Sequence, residues 1–504
     1  MPATDLCYSY NCPNNLLPWL FTCLFCRCFN PGACPSAKGL NGSATNQTTA
    51  RHLLSTQPDN VYKTAQCSEA YQGNLCGQCK QGYGKVRPFH CRKCMPAGAI
   101  VALYLLAALA MIALVKVLVF FQLAADTSSR EDLTRPIPAE MLRALVIHAQ
   151  WLYIIGNLDV PLPQSLLYPV QVIGGIWSST SGSSLGLECI LHSTSKVPVA
   201  IQKVLICLFT PVGILCAVLA IEAGMHTLRP RKSGTMGHDL ASVVMCLVFM
   251  FLPTWVNTAL SLFTCVPLDT PAKAPFQAEA VGNWWAEDMG QLCYSRSGYH
   301  RGWALGLGIP LTLLFCVALP AGVLLFMWYS RKQGKLQDMQ FQKHYGFMYR
   351  LWREDWCWWE SVVLLQTCVL VMISTFGFAL GPVYQTMVTA TVLAWIAIAL
   401  LAVRPYKCPA AGRVAVISVC VLYFTAYACL TFLPYSYAGP GPVYSNIMGV
   451  VILISNMVFL VYTAWLLWQS VDLSAVRAWL QDGCCGSLSR VLAQDGAARA
   501  GQGV

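Results

Sequence analysis

Between Glu360 and Arg404 the chain carries no charged side chain over 43 residues, and between Arg413 and Asp472 none over 58. As one helix the shorter of these runs would extend ~64 Å at ~1.5 Å per residue, about twice the ~30 Å hydrocarbon core of a bilayer. Each run must therefore fold back on itself. Gly377-Phe378-Ala379-Leu380-Gly381-Pro382 breaks the first, and the Pro/Gly cluster from Pro434 to Pro442 breaks the second, because Gly and Pro together mark turns. Two helical hairpins that cross the membrane are expected.

The rest of the chain agrees. Charged residues are 11% of 504, against about 25% in soluble domains. Further uncharged runs lie at 97–115 (continuing past Lys116 to 125), 204–221, 240–268 and 302–330. Residues 141–157 form the weakest crossing, since they contain Arg143, His148 and Gln150. These add to an all-α membrane protein of about nine transmembrane helices, with the bilayer as its main partner.

Loop charges set the direction. With the N-terminus outside, the inner segments hold seventeen Lys and Arg, six of them between Arg331 and Arg353. The outer loops between crossings hold four: Lys196, Lys273, Arg296 and Arg301. Short cytoplasmic loops are enriched in positive residues, so the C-terminus is expected in the cytoplasm and the protein in the plasma membrane. The weak second crossing is needed for this alternation. The net charge of +11 is thus spread over membrane loops, and no basic patch on a polar domain suggests nucleic acid. An outside N-terminus calls for a signal peptide. The candidate at 16–26 is short, lacks basic residues and contains Pro18, so the chain reads as the trailing part of a longer protein.

Eleven of 25 cysteines precede residue 95. Cys67, Cys76, Cys79, Cys91 and Cys94, interspersed with glycines, outline a compact module at 67–96 between a poorly defined segment (1–66) and the membrane domain (97–470). Two CxxC pairs could ligate zinc; the outside placement favours disulfides. Cys265 and Cys293 bracket the loop between crossings four and five and are expected to pair, with Cys189 as a spare. Asn41 and Asn46 lie in glycosylation sequons. In the tail (471–504), Cys484 and Cys485 are candidate palmitoylation sites, and residues 495–504 are expected to be disordered.

No hydrolase elbow, phosphate-binding loop, dinucleotide fingerprint or metalloprotease helix occurs, so neither an enzyme nor a cofactor is expected. In a membrane chain, intramembrane polar residues are the functional candidates. Lys116, Lys203, Glu222 and Glu360 sit near helix ends, where the plain expectation is that they reach water. Asn257 lies in mid-run after Pro253; it suits a gate as well as it suits interhelical glue. Gln366 and Gln385 complete the candidate pore and gating set with Asn257 and Glu360. Trp352, Trp356, Trp358 and Trp359 read as an interfacial belt, with a gating collar as the compatible alternative.

The stretch Gly73-Asn74-Leu75-Cys76-Gly77-Gln78-Cys79-Lys80-Gln81-Gly82-Tyr83, then Cys91-x2-Cys94 and a first crossing, resembles the ephrin-receptor-like or EGF-like modules that precede the membrane domain of large algal and protist surface proteins. Residues 150–163 and 184–191 resemble the segments that follow there. Tyr345-Gly346-Phe347-Met348-Tyr349-Arg350, Trp358-Trp359-Glu360 and Arg404-Pro405-Tyr406 are similar to stretches of TRP-like (transient-receptor-potential-like) membrane domains. The resemblance implies a TRP-like cation channel or channel subunit, an oligomer of identical chains around a hydrated path. The chain departs from voltage-gated channels, with no crossing bearing Arg or Lys at every third position and no TVGYG-type filter. The alternative is a multi-pass receptor or adhesion protein whose head binds an extracellular partner above a dry helix bundle. A transporter would show paired broken helices in repeated halves, and none is evident.

Overall fold

The computed structural model describes residues 69–72, 78–87, 90–124, 138–158, 160, 187–191, 197–228, 236–269, 282–433 and 442–470. Cys67, Cys76, Asn41, Asn46 and the tail lie outside them.

The described chain opens with two small antiparallel hairpins. β1 (Tyr71–Gln72) pairs with β2 (Gln78–Cys79), and β3 (Tyr83–Arg87) pairs with β4 (His90–Lys93). Gly82, at φ +89°, makes the turn between them, a conformation that costs other residues more. So small a module buries little apolar surface and needs covalent staples. Cys79–Cys91 joins the hairpins.

Nine long helices follow among the described residues. They are α1 (Ala97–Ala124), α2 (Pro138–Gly156), α3 (Val199–Leu228), α4 (Met236–Ser261), α5 (His300–Lys332), α7 (Trp359–Phe376), α8 (Pro382–Val403), α9 (Pro409–Cys429) and α10 (Pro442–Ser470), with a short α6 (Met339–Tyr349) between α5 and α7. All but α2 are long and apolar enough to cross a membrane. Their outward faces carry large apolar side chains such as Leu105, Leu109, Leu325, Trp395, Ile398, Val458 and Val461. In water such a continuous apolar surface would aggregate; here lipid is the solvent, and the protein is an integral membrane protein. Apolar burial then contributes little to helix association, which rests on packing and interhelical hydrogen bonds.

α2 is, as expected, the weakest crossing by composition: among the described residues eight helices and not nine are long and apolar enough to span, and α2 is the long helix left out. It packs against α1, α7, α9 and α10, and Glu140, Arg143, His148 and Gln150 are all buried inside the molecule. Its polarity marks an interior helix.

The two hairpins form where the sequence breaks. α7 ends in a 3-10 turn, Gly377–Leu380, and Gly381 (φ +85°) caps α8, with Pro382 at its first position. α9 ends in a 3-10 turn at Leu430–Phe432 and α10 begins at Pro442. α5 holds two π-helical turns, Ala304–Gly308 and Leu313–Ala318, ahead of Pro310 and Pro320. A proline ring clashes with the carbonyl four residues back and offers no N–H. The helix widens at each, so that Ile309 N–H reaches Ala304 O and Leu319 N–H reaches Leu314 O.

At one end of the bundle, a third hairpin (β5, Cys265–Asp269; β6, Gly282–Trp285) is held by the expected Cys265–Cys293 disulfide. Cys94 leaves the module to bond Cys189, which corrects both the self-contained knot and the role of Cys189 as a spare. Because Cys79 pairs with Cys91 and Cys94 with Cys189, the zinc alternative has lost its ligands.

At the other end, the chain after α6 is laced to the α8–α9 connection. Arg353 N–H donates to Pro405 O at 2.8 Å, Lys407 N–H donates to Leu351 O at 3.0 Å, and the Trp352 and Tyr406 rings lie 4.8 Å apart.

Candidate functional site

Three polar layers occupy the described interior. The first, at the disulfide-bearing end, clamps the small module to the bundle. Lys203 near the start of α3 is 9% exposed and pairs with Glu287 at 3.1 Å and Glu188 at 3.6 Å. Lys85 of β3 donates through Nζ to Ala286 O and through its backbone N–H to Glu188 Oε2. Gln78 of β2 donates to Asp288 Oδ1, whose partner oxygen accepts from Tyr299. Burial alone would raise the Glu287 carboxyl, but the Lys203 and Lys85 ammonium groups hold it down at about 2. Burial and neighbouring Asp288 push the Tyr299 phenol well above its usual range. Lys203 was expected to reach water; the two carboxylates on the connecting loops cover it instead.

The second layer lies deeper, around α2, α4, α7, α9 and α10. Asn456 Nδ2 donates to Thr425 Oγ1 and Ile452 O, which turns its Oδ1 toward His148 Nε2 at 3.2 Å. His148 must then donate from Nε2 and accept at Nδ1 from the Ser418 hydroxyl at 2.9 Å. One tautomer satisfies both bonds. Gln150 donates to Met250 O and Trp151 to Thr367 Oγ1. Asn257 Oδ1 accepts from Thr375 at 3.0 Å, joining α4 to α7. Gln385 is 1% exposed and donates to Ile373 O and Ser374 O, closing the α7–α8 hairpin. Gln366 is half-buried on α7.

The third layer surrounds Arg143. Its guanidinium forms an ion pair with Glu360 of α7 and donates to Phe347 O of α6 at 2.8 Å. It also lies 4.8 Å from the Phe249 and Phe347 ring centres, so aromatic faces complete the cation's shell. Trp352 Nε1 donates to Glu360 Oε2 at 3.3 Å. Glu360 is 4% exposed, which overturns the expectation that it reaches water: Arg143 draws it inward. The tryptophan belt is corrected in part, since Trp352 and Trp359 are buried around this pair, while Trp356 and Trp358 pack beside them half-buried. Glu140 Oε2, Arg143 Nε and Trp359 Nε1 are buried without a hydrogen-bond partner, so this layer is the least satisfied part of the described interior.

Residues 345–350, 358–360 and 404–406 meet in this third layer through Phe347, Glu360 and Tyr406, whose ring lies beside that of Trp352. The candidates are therefore not brought together on one path. Glu360 belongs to the third layer, while Asn257 and Gln385 tie separate helix pairs. Sequence reasoning missed Arg143, Glu140, His148, Ser418, Asn456, Glu188 and Glu287. One signal was present: Arg143 and Gln150 are seven residues apart and share a helix face. Lys116 is half-buried on α1, and the side chain of Glu222 lies outside the description.

No family model, curated protein or solved structure matches the chain.

Proposed function

We propose that the protein is a multi-pass surface transducer, a receptor whose outer module passes a binding event or a pull through the bundle to the charged layer around Arg143. One observation carries this reading. Asn257, Glu360 and Gln385, three of the four polar groups expected to line a water path, are spent on contacts between helices. The module, meanwhile, is stapled to the bundle by Cys94–Cys189 and by the Lys203 clamp. A push on the module thus reaches α3 directly, and through α3 the packed α4. The reading places the module outside the plasma membrane and the C-terminus in the cytoplasm, in line with the loop charges.

A second reading has its own support. The convergence of three TRP-like stretches on one buried ion pair suits a TRP-like channel subunit. Its conducting path would run between copies of the chain, along helices such as α5 that keep most of their surface on the outside of the bundle.

Planar-bilayer recording on purified protein separates the two. The receptor reading expects no unitary currents from wild-type protein or from Asn257→Leu. Currents that Glu360→Gln alters would replace it with the channel.

A further inference from the structure

The disulfide-bearing end holds a histidine whose hydrogen bonds leave it one protonation state. His300 opens α5 and is 0% exposed. Its Nε2 lies 2.9 Å from Leu262 O, just past the end of α4. A carbonyl oxygen only accepts, so Nε2 carries the proton. Nδ1 then has a free lone pair and accepts from the Tyr294 backbone N–H at 3.2 Å. Tyr294 stands at φ +57°, a left-handed conformation that is uncommon for a residue with a bulky side chain. Such a conformation persists only where its surroundings impose it. Here the Nδ1 bond is one constraint. The other is Cys293, fixed by its disulfide to Cys265 and by its N–H donated to Asn283 O at 2.8 Å. The Trp285 and Tyr294 rings pack on the imidazole with centres 5.0 and 5.3 Å away.

We infer that His300 is a proton-sensitive latch, in which protonation of Nδ1 releases residues 294–299 and loosens the seat of the small module. An imidazolium donates from both nitrogens, so its Nδ1–H would face the Tyr294 N–H, and two donors cannot bond. The cation is also costly to keep buried without a partner. Among the described residues no carboxylate pairs with it: Glu287 is held by Lys203, Glu188 also faces Lys203, and Asp288 accepts from Tyr299 and Gln78. Arg296 on the loop and Arg301 on α5 are exposed and of like sign. The Tyr294 phenol is neutral at these pH values. Opening the loop is the way for the cation to reach water. Tyr299 ends the loop, and its hydroxyl bond to Asp288 continues through Gln78 into β2. A freed loop therefore slackens one contact that seats the module, while Cys94–Cys189 keeps it tethered. In the opened loop His300 takes the ordinary imidazole value of about 6.5. Closure is complete above that value, and the opened share rises about tenfold for each pH unit below it. The inference holds for a receptor and for a channel alike.

The test is hydrogen–deuterium exchange of the full chain in phosphatidylcholine nanodiscs at pH 7.5 and 5.5, with labelling times scaled to the intrinsic amide rate. The peptide spanning 294–300 is read. Its protection is expected to fall about tenfold between the two pH values in the wild-type chain. It should not change in His300→Gln, whose side-chain amide donates to Leu262 O and accepts from Tyr294 without titrating. A wild-type ratio near one overturns the latch. So does a loss that His300→Gln shares, which would belong to the carboxylates of the Lys203 clamp. If that variant fails to form the Cys265–Cys293 bond, wild-type protein labelled with 13C at histidine Cε1 decides. The His300 resonance should titrate together with the loss of protection, and titration within a segment that stays protected overturns the proposal.

Discussion

At the scale of single residues, the ion pair of Arg143 and Glu360 decides whether α2 is tolerated in the membrane. Removing one partner of a buried pair costs about 3–5 kcal/mol, because the other charge stays uncompensated. Glu360→Leu is therefore expected to lower the thermal unfolding midpoint in detergent strongly, and Arg143→Met combined with Glu360→Leu to recover most of the loss. A double variant no more stable than the single one would mean that the guanidinium matters through its aromatic shell and Phe347 O. At the opposite end, Glu287 titrates in a direction that can be worked out. Its folded-state value is depressed to about 2, below the ordinary carboxylate range of about 4.3. The stability it adds is complete above that range and is lost as pH falls toward 2. Limited proteolysis of the outer module should thus accelerate as pH drops below about 4.3, and Glu287→Gln should make the module susceptible even at neutral pH.

At the scale of elements, Gly377 shows how closely the α7–α8 hairpin packs. A Cβ there would lie 2.6 Å from Gln385 Cγ, so Gly377→Ala should destabilise by about 1–3 kcal/mol, as overpacking does. Gln385→Ala in the same chain should restore part of the loss, read as the unfolding midpoint. The position of this hairpin was legible because Gly and Pro interrupt an otherwise uncharged run. The interior role of α2 was not. Arg143, His148 and Gln150 lower the apolar character of a segment, and only the partners brought by α4, α6, α7, α9 and α10 turn that into stability. Cysteine pairing divides along the same line. Cys265 and Cys293 bracket one loop and could be paired by eye, whereas Cys94 and Cys189 are 95 residues apart with α1 and α2 between them. Of the candidate site, Glu360 was found and Arg143 was passed over, because a charge reads as a defect until its counter-charge is known.

At the scale of the whole molecule, the disulfides gather at one end, while Arg331, Lys332 and Lys335 sit exposed at the other. A membrane-impermeant amine reagent on intact cells should therefore label Lys80, which is exposed on the module, and leave Lys332 unlabelled until the cells are opened. The reverse pattern would invert the proposed orientation.

The bond between Cys94 and Cys189 also has a meaning for biosynthesis. On the proposed topology residue 94 precedes the first crossing and residue 189 follows the second, so the two sulfurs share a compartment only after α2 has been threaded. α2 is the long helix whose composition least commends it to an insertion machinery. A chain in which it slipped past the bilayer would display Cys94 as an orphan thiol, and a cell that retains or destroys proteins with unpaired surface thiols would thereby inspect the topology of the least certain segment.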